Sequence, residues 1–142
     1  MQQPQRDEIG VLPHNHNEIL GQDRLVRYLV AGANVHLDGN GSWRVSSGAF
    51  SRSNPRSDLR SFASVDLERM LPTEGQTPIY RLPTPHHGAA VVKVDIVRQL
   101  NLLVGWVPQQ DNSAHCGIWG DLQKGSIGRQ LAKAAIIVVD PV

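Results

Sequence analysis

The chain has 142 residues, of which 40% are hydrophobic and 19% charged, a composition typical of one folded domain rather than of a disordered protein. Its formal net charge of +1 argues against a strongly basic nucleic-acid-binding domain, so any attraction to polyanions must come from a local patch. A single cysteine, Cys116, excludes an intramolecular disulfide. The sequence shows no signal peptide and no apolar run of the roughly 20 residues that span a bilayer, so we expect a cytoplasmic protein without membrane contact.

The first part of the sequence predicts a loose start followed by a helix. Residues 1–15 are polar and contain several Gln and Pro residues, so we expect a flexible segment ahead of a single domain over residues 16–142. A helix is predicted between Asp23, as its N-cap, and Gly32, at its end. Its apolar residues repeat at helical spacing, at Leu25, Val26, Leu29 and Val30.

The middle of the chain is predicted to contain few regular elements. The sequence Asp-Gly-Asn-Gly at residues 38–41 is typical of a tight turn and predicts a short hairpin around it. Residues 46–61 are rich in Ser and Arg and predict an exposed loop, whereas residues 62–67 alternate like a half-buried strand. Four prolines within residues 72–88 leave room only for a brief extended segment at residues 79–82.

The last third of the sequence alternates strands with helices. Asp95 and Ser126 are the predicted N-caps of two helices, and the second helix should bury a stripe formed by Ile127, Leu131 and Ala135. Strands are predicted over residues 89–94, 102–107, 114–119 and 136–139, and the last should be central because it is apolar on both faces. We therefore predict an α+β fold, a single compact domain with one mixed sheet of about five or six strands and two or three helices.

Three histidines are candidate catalytic residues. His86 and His87 lie just before a predicted strand, and His115 enters another. If those strands were parallel neighbours, His86 or His87 could face His115 and the two could act as general acid and base. The alternative is structural, with His87 packed against the core and His115 bonded to a backbone carbonyl. The sequence leaves both interpretations open.

Two further sites look reactive in the sequence but lack the partners that chemistry needs. Adjacent strand residues point to opposite faces, so Cys116 and His115 cannot form a nucleophile–base pair, and we predict a buried, inert thiol. His14 and His16 could supply only two ligands to a metal, and no further Cys/His cluster follows. We therefore expect neither a metal nor a cofactor.

Two basic segments are candidate anion-binding sites. Lys124, Ser126 and Arg129 accompany a glycine-containing loop that runs into a helix start, where backbone N–H groups favour an anion. An ordinary serine cap is the alternative there. Arg44 belongs to a second group with Arg52, Arg56 and Arg60, which could contact phosphates while Trp43 stacks on a base. The alternative for that group is a solvated loop.

These observations support two classes of function. We favour a non-catalytic binding module that contacts a protein or a phosphate-bearing polyanion such as a nucleic acid. The alternative is a metal-independent hydrolase or nuclease, with His86 or His87 and His115 as general acid and base and Lys124 or Arg129 stabilising charge in the transition state.

Overall fold

The computed structural model of the chain describes residues 1–53 and 60–142. These residues contain two helices, α1 (Val94–Gln99) and α2 (Gly125–Ala134), and a 3₁₀ turn over Glu68–Met70. The strands in chain order are β1 (Arg24–Leu29), β2 (Val35–Leu37), β3 (Trp43–Val45), β4 (Ala63–Leu67), β5 (Thr73–Glu74), β6 (Thr77–Pro78), β7 (Gly88–Lys93), β8 (Leu103–Trp106), β9 (His115–Trp119) and β10 (Ile136–Val139).

Six of these strands form one sheet in the order β10-β7-β1-β4-β9-β8, and β2–β3 and β5–β6 form two separate ribbons. The architecture is α+β, but the prediction of a mixed sheet is wrong, because every pair of neighbouring strands is antiparallel. A helix between two strands is the connection typical of parallel neighbours, and α1 and α2 each connect two strands. Those connections instead cross the sheet, from β7 to the far edge at β8 and from β9 to the opposite edge at β10.

The first predicted helix is wrong, because residues 24–29 form the inner strand β1. The apolar residues of β1 fit helical spacing only because the strand is buried on both faces. Leu25 and Leu29 belong to the main hydrophobic cluster, whereas Val26 belongs to a second cluster on the opposite face. Asp23 is not a helix cap. Its carboxylate accepts hydrogen bonds from the backbone N–H of Leu20 and from the guanidinium of Arg69.

The predicted central strand at residues 136–139 is in fact the edge strand β10, which pairs only with β7. Its first residue, Ile136, is 63% exposed. Ile137 packs against the main cluster, and Val138 and Val139 pack against the second cluster. A strand can therefore be apolar on both faces at a sheet edge, when each face is covered by other elements.

Both predicted helices of the last third exist, but their predicted caps are wrong. Lys93 and Lys124 occupy the N-cap positions without a side-chain capping bond, and Asp95 and Ser126 lie inside the first turns. Leu131 of α2 is fully buried in the main cluster, as its position in the apolar stripe predicted. Within residues 1–53 and 60–142, no helix is long and apolar enough to cross a membrane.

The hairpin around residues 38–41 is confirmed as β2–β3, and the strands predicted near β4, β7, β8 and β9 are confirmed within a residue or two. The extended segment predicted at residues 79–82 has no regular structure, and the short ribbon β5–β6 precedes it. The first part of the predicted exposed loop differs from expectation, because Ala49 and Phe50 are buried. Its residues 54–59 lie outside the described part of the chain.

The N-terminal segment, which we predicted to be loosely held, runs along the edge of the sheet at β8. The Asn15 side chain accepts a hydrogen bond from the backbone N–H of Val104, and the backbone N–H of His16 donates to the carbonyl of Val104. The Nε2 atom of His14 accepts a hydrogen bond from the backbone N–H of Trp106. These bonds satisfy edge groups that would otherwise be open to pairing with another chain.

Candidate anion-binding groove

A groove of about 480 Å³ lies between the β2–β3 hairpin and helix α2. Trp43 and Arg44 come from β3, and Ile137 comes from the start of β10. The side of α2 that borders the groove presents residues spaced three and four apart, which share one helix face. These residues are Arg129, Ala132 and Lys133.

The hairpin can approach α2 this closely because of a glycine. A Cβ atom at Gly128 would overlap the backbone carbonyl oxygen of Ser47, which follows β3. Leu131, one turn further along, fixes the same helix in the core with its side chain fully buried. The position of the groove therefore depends on one small residue and one large apolar residue of α2.

Three cationic side chains surround the groove. Arg44 lies on the hairpin side, and Arg129 and Lys133 lie on the helix side. The sequence of α2 contains no Asp or Glu, so the like charges of Arg129 and Lys133 have no acidic neighbour within the helix. The Arg129 guanidinium also folds back toward the start of α2, where its Nη1 atom lies 3.2 Å from the position of a Cβ on Gly125.

One carboxylate lies beside these cations. Asp38 accepts a hydrogen bond from Nε of Arg44 at 2.8 Å, and the Arg44 side chain remains 65% exposed. The backbone N–H of Ser42, the Arg44 guanidinium and the backbone N–H of Asn40 together lower the pKa of Asp38 to about 2. The carboxylate is therefore ionised at neutral pH and offsets one of the three positive charges.

Trp43 gives the groove an aromatic surface. Its side chain is half-buried and packs against the edge of the main cluster, while part of it lines the groove. The other two tryptophans, Trp106 and Trp119, are buried in the domain. Trp43 is thus the tryptophan whose ring a groove ligand would meet.

The structure brings together two of the four residues that we predicted to bind anions. Arg44 and Arg129 are far apart in sequence and line the same groove. Lys124 and Ser126 lie at the start of α2 and do not line it, although the Arg129 side chain reaches toward them. Lys133 was not among the predicted residues, and its position four residues after Arg129 was the signal that could have found it.

Two of the arginines that we grouped with Arg44 have other contacts. Arg52 donates a hydrogen bond to the carbonyl of Gly120. Arg60 forms a two-pronged ion pair with Asp7, which lowers the pKa of that carboxyl. Arg56 lies outside the described residues. Arg44 itself belongs to β3 and lines the groove together with residues of α2.

The histidines proposed as a catalytic pair lie at opposite ends of the sheet. Gly88, which follows His87, pairs with the last residue of β1, whereas His115 pairs with Asp66 and thereby aligns with the start of β1. Strands β1 and β4 also separate β7 from β9. His87 hydrogen-bonds to Thr84 of its own loop, and neither His86 nor His87 lines the pocket that contains His115.

The remaining candidate groups have structural surroundings. Cys116 is fully buried, and burial raises the pKa of its thiol to about 12, which leaves almost no reactive thiolate at neutral pH. His14 and His16 bond to the backbone of residues near the β8 edge and of the N-terminal segment. Among the described residues, no group of three or more His, Cys, Asp or Glu side chains is arranged to hold a metal ion.

Comparison of the chain with protein-family models, with curated proteins and with solved structures found no match. The function must therefore be inferred from the residues of this chain alone.

Proposed function

We propose that the protein is a non-catalytic binding module that holds a phosphate-bearing polyanion, a single-stranded nucleic acid, in the groove between the β2–β3 hairpin and α2. The observation that carries the proposal is the convergence of Arg44, Arg129 and Lys133 around the half-buried ring of Trp43. Single-strand binding sites combine two components. Basic side chains contact the phosphate backbone of the nucleic acid, and an aromatic ring stacks on a base.

The charge balance of the groove favours an anion. Among the described residues, the salt bridges pair Arg44 with the carboxylate of Asp38 and include neither Arg129 nor Lys133. Arg129 and Lys133 repel each other on one helix face, and a phosphate between them would relieve that repulsion. The net charge of the whole chain is only +1, so the attraction would be confined to this patch.

The size of the groove also fits such a ligand. A volume of about 480 Å³ lies within the usual range of ligand sites and is sufficient for a short piece of a strand rather than a duplex. Ala132 and Ile137 provide an apolar floor on which a base can lie beside the Trp43 ring. Base–aromatic stacking tolerates every base, so we expect weak sequence preference.

Fluorescence anisotropy with labelled single-stranded RNA and DNA of about 12 nucleotides tests the proposal directly. An Arg129→Ala/Lys133→Ala double variant should weaken binding about tenfold or more at moderate salt, because two phosphate contacts are lost. The slope of log K against log salt should become shallower by about 1.4 for that variant, since each contact with a single strand contributes about 0.7.

A charge-matched control is available in the same chain. Arg6 and Lys93 are exposed and do not line the groove, so an Arg6→Ala/Lys93→Ala variant removes the same net charge elsewhere. This control should keep the affinity and the salt slope of the parent within about twofold. If both double variants weaken binding equally, the groove is not the site.

The intrinsic fluorescence of Trp43 provides a second measurement. Trp106 and Trp119 are buried, so quenching on addition of an unlabelled strand should come from Trp43 and should disappear in Trp43→Phe. An absence of salt-sensitive binding by the parent protein to RNA, single-stranded DNA and duplex DNA alike would refute the proposed function.

A further inference from the structure

A second, smaller pocket of about 170 Å³ opens on the opposite face of the sheet. Asp66 and His115 are Cα partners on neighbouring strands, and Asp66 also pairs with Val26 of β1. Paired residues share a face, and this face belongs to the second hydrophobic cluster rather than to the main cluster that α2 covers. The polar residues that line the pocket are Tyr28, Ser64, Asp66, Arg81, Asn112 and His115.

Asp66 is only 2% exposed, yet the hydrogen-bond partners of its carboxylate are neutral. The Tyr28 hydroxyl donates to one carboxylate oxygen at 2.7 Å, and the Asn112 side-chain amide donates to the other at 2.8 Å. Among the described residues, no Lys, Arg or His lies within ion-pair distance of Asp66. A carboxylate has room for further donors, and a buried one without a cation favours a ligand that brings positive charge.

His115 offers a second acceptor to the same space. Its Nδ1 atom lies 2.8 Å from the carbonyl oxygen of Val107 and must donate a hydrogen to it. In the neutral ring, Nε2 is then an acceptor. The residue is only 7% exposed, and no described residue hydrogen-bonds to Nε2. This nitrogen is not among the buried side-chain atoms that lack a partner, so it is accessible to solvent or to a ligand. A ligand donor in the pocket would satisfy this nitrogen.

Arg81 supplies the opposite charge at the edge of the pocket. It is an exposed residue whose backbone N–H donates to the Tyr28 hydroxyl at 2.9 Å. Its Nη1 atom donates to the carbonyl of Asp111, which fixes the guanidinium beside the turn that carries Asn112. The pocket therefore has acceptors at its base and a cation at its edge.

We propose that this pocket binds a small zwitterionic amino acid, with the ammonium group against Asp66 and the Nε2 atom of His115 and the carboxylate against the Arg81 guanidinium. The pocket is small, about 170 Å³, and a ligand of the size of glycine, alanine or serine matches it. Both ends of the ligand would be recognised by charge-assisted hydrogen bonds.

The Tyr28 hydroxyl donates a hydrogen bond at the base of the pocket. Burial and the hydrogen bond to Asp66 raise the pKa of Tyr28, so the phenol retains its hydrogen and donates it to the carboxylate. The site is independent of the groove, since the two share no lining residue and lie on opposite faces of the sheet.

NMR titration of the ¹⁵N-labelled full chain with glycine, alanine or serine at millimolar concentrations tests the proposal. Shifts should be confined to residues near Ser64–Asp66 and Asn112–His115, and the His115 Nε2 resonance should move in the direction of a newly accepted hydrogen bond. Asp66→Asn and Arg81→Gln should each weaken the effect at least tenfold. Arg129→Ala, in the groove, should leave it unchanged.

Ligands that carry only one of the two charged groups test whether the pocket recognises both the ammonium group and the carboxylate. Methylamine lacks the carboxylate and acetate lacks the ammonium group, so both should bind at least tenfold more weakly than alanine. Lactate, with a hydroxyl in place of the ammonium group, should also bind more weakly because it brings no positive charge to Asp66. Equal shifts with acetate or lactate would overturn the proposal, as would an unchanged His115 resonance in the parent protein with all three amino acids. The ring measurement needs no variant, so it decides the proposal even if Asp66→Asn does not fold.

Discussion

The two concave sites of this protein differ in how they are built. The groove lies between two elements, the hairpin and α2, and the charged side chains that line it are exposed and positive. The second pocket, which contains Asp66 and His115 and is called the sheet-face pocket below, lies on β-strands. Its two central residues are buried and are aligned with each other by strand register. The groove can therefore adapt to a flexible polyanion, whereas the pocket is preorganised for a small ligand of fixed geometry.

The difference also determines what each site depends on. The groove depends on docking of α2, so packing changes far from the cations should affect it. The pocket depends on a hydrogen-bond network in which each buried polar atom needs its partner. Substitutions that disturb the packing of α2 should therefore weaken binding in the groove, whereas substitutions that remove hydrogen bonds around Asp66 should weaken binding in the pocket.

The largest effect is expected for Leu131→Ala. Leu131 is fully buried in the main cluster, and its truncation should lower the free energy of unfolding by about 2–5 kcal/mol through lost burial and a residual cavity. Urea denaturation measures this loss. A change below about 1 kcal/mol would show that α2 is not anchored as described, and the groove would then lack a fixed wall.

Gly128→Ala should cost about 1–3 kcal/mol and also weaken anion binding, because the added methyl group overlaps the Ser47 carbonyl and pushes the hairpin away from α2. Gly125→Ala is the matched control in the same helix, since its methyl group would meet only the flexible tip of Arg129. That variant should be neutral or slightly stabilising. Amino acid binding in the sheet-face pocket should survive both substitutions.

Tyr28→Phe should lower the free energy of unfolding by about 1–3 kcal/mol, since it removes a donor to the buried carboxylate of Asp66. Tyr80→Phe is the control. The Tyr80 hydroxyl donates to Glu68, which also pairs with Arg24 and is more exposed, so its loss should cost less. Thermal denaturation measures the loss of stability in each variant. Equal losses would show that the buried carboxylate of Asp66 is no more sensitive to a lost donor than the more exposed carboxylate of Glu68. Neither variant should alter strand binding in the groove.

The smallest effect is expected for Asp38→Asn. Removing the carboxylate releases Arg44 and should raise affinity for a single strand about two- to fivefold, while the Asn oxygen can still accept the N–H groups of Asn40 and Ser42. Hydrogen bonds from Ser42, Arg44 and Asn40 lower the pKa of Asp38 to about 2, so the carboxylate is ionised in the parent at both pH 5 and pH 8. The ratio of the Asp38→Asn affinity to the parent affinity should thus be the same at pH 5 and pH 8. It should shrink only as the pH falls toward 2. A ratio that changes between pH 5 and 8 would assign the effect to another group.

The sequence by itself determined the parts of the fold that depend on local chemistry. Asp38–Gly41 required a turn and produced a hairpin, and the alternating or β-branched segments around residues 63–67, 88–93 and 115–119 became strands. The apolar stripe of α2 placed Leu131 in the core. Arg44 and Arg129 could also be predicted from the sequence as candidate anion contacts, because charge is a property of the residue itself.

Tertiary structure decided the rest. Leu25, Val26 and Leu29 fit a helix or a strand buried on both faces, and only the pairing of β1 with β4 and β7 selects the strand. The pairing of β10 with β7 alone places that strand at an edge. Strand order also separates His87 from His115 and aligns His115 with Asp66, a residue that carries no local signal. Side-chain spacing specifies which face a residue occupies, but the partner across that face is set by contacts between distant segments, which local sequence patterns do not encode.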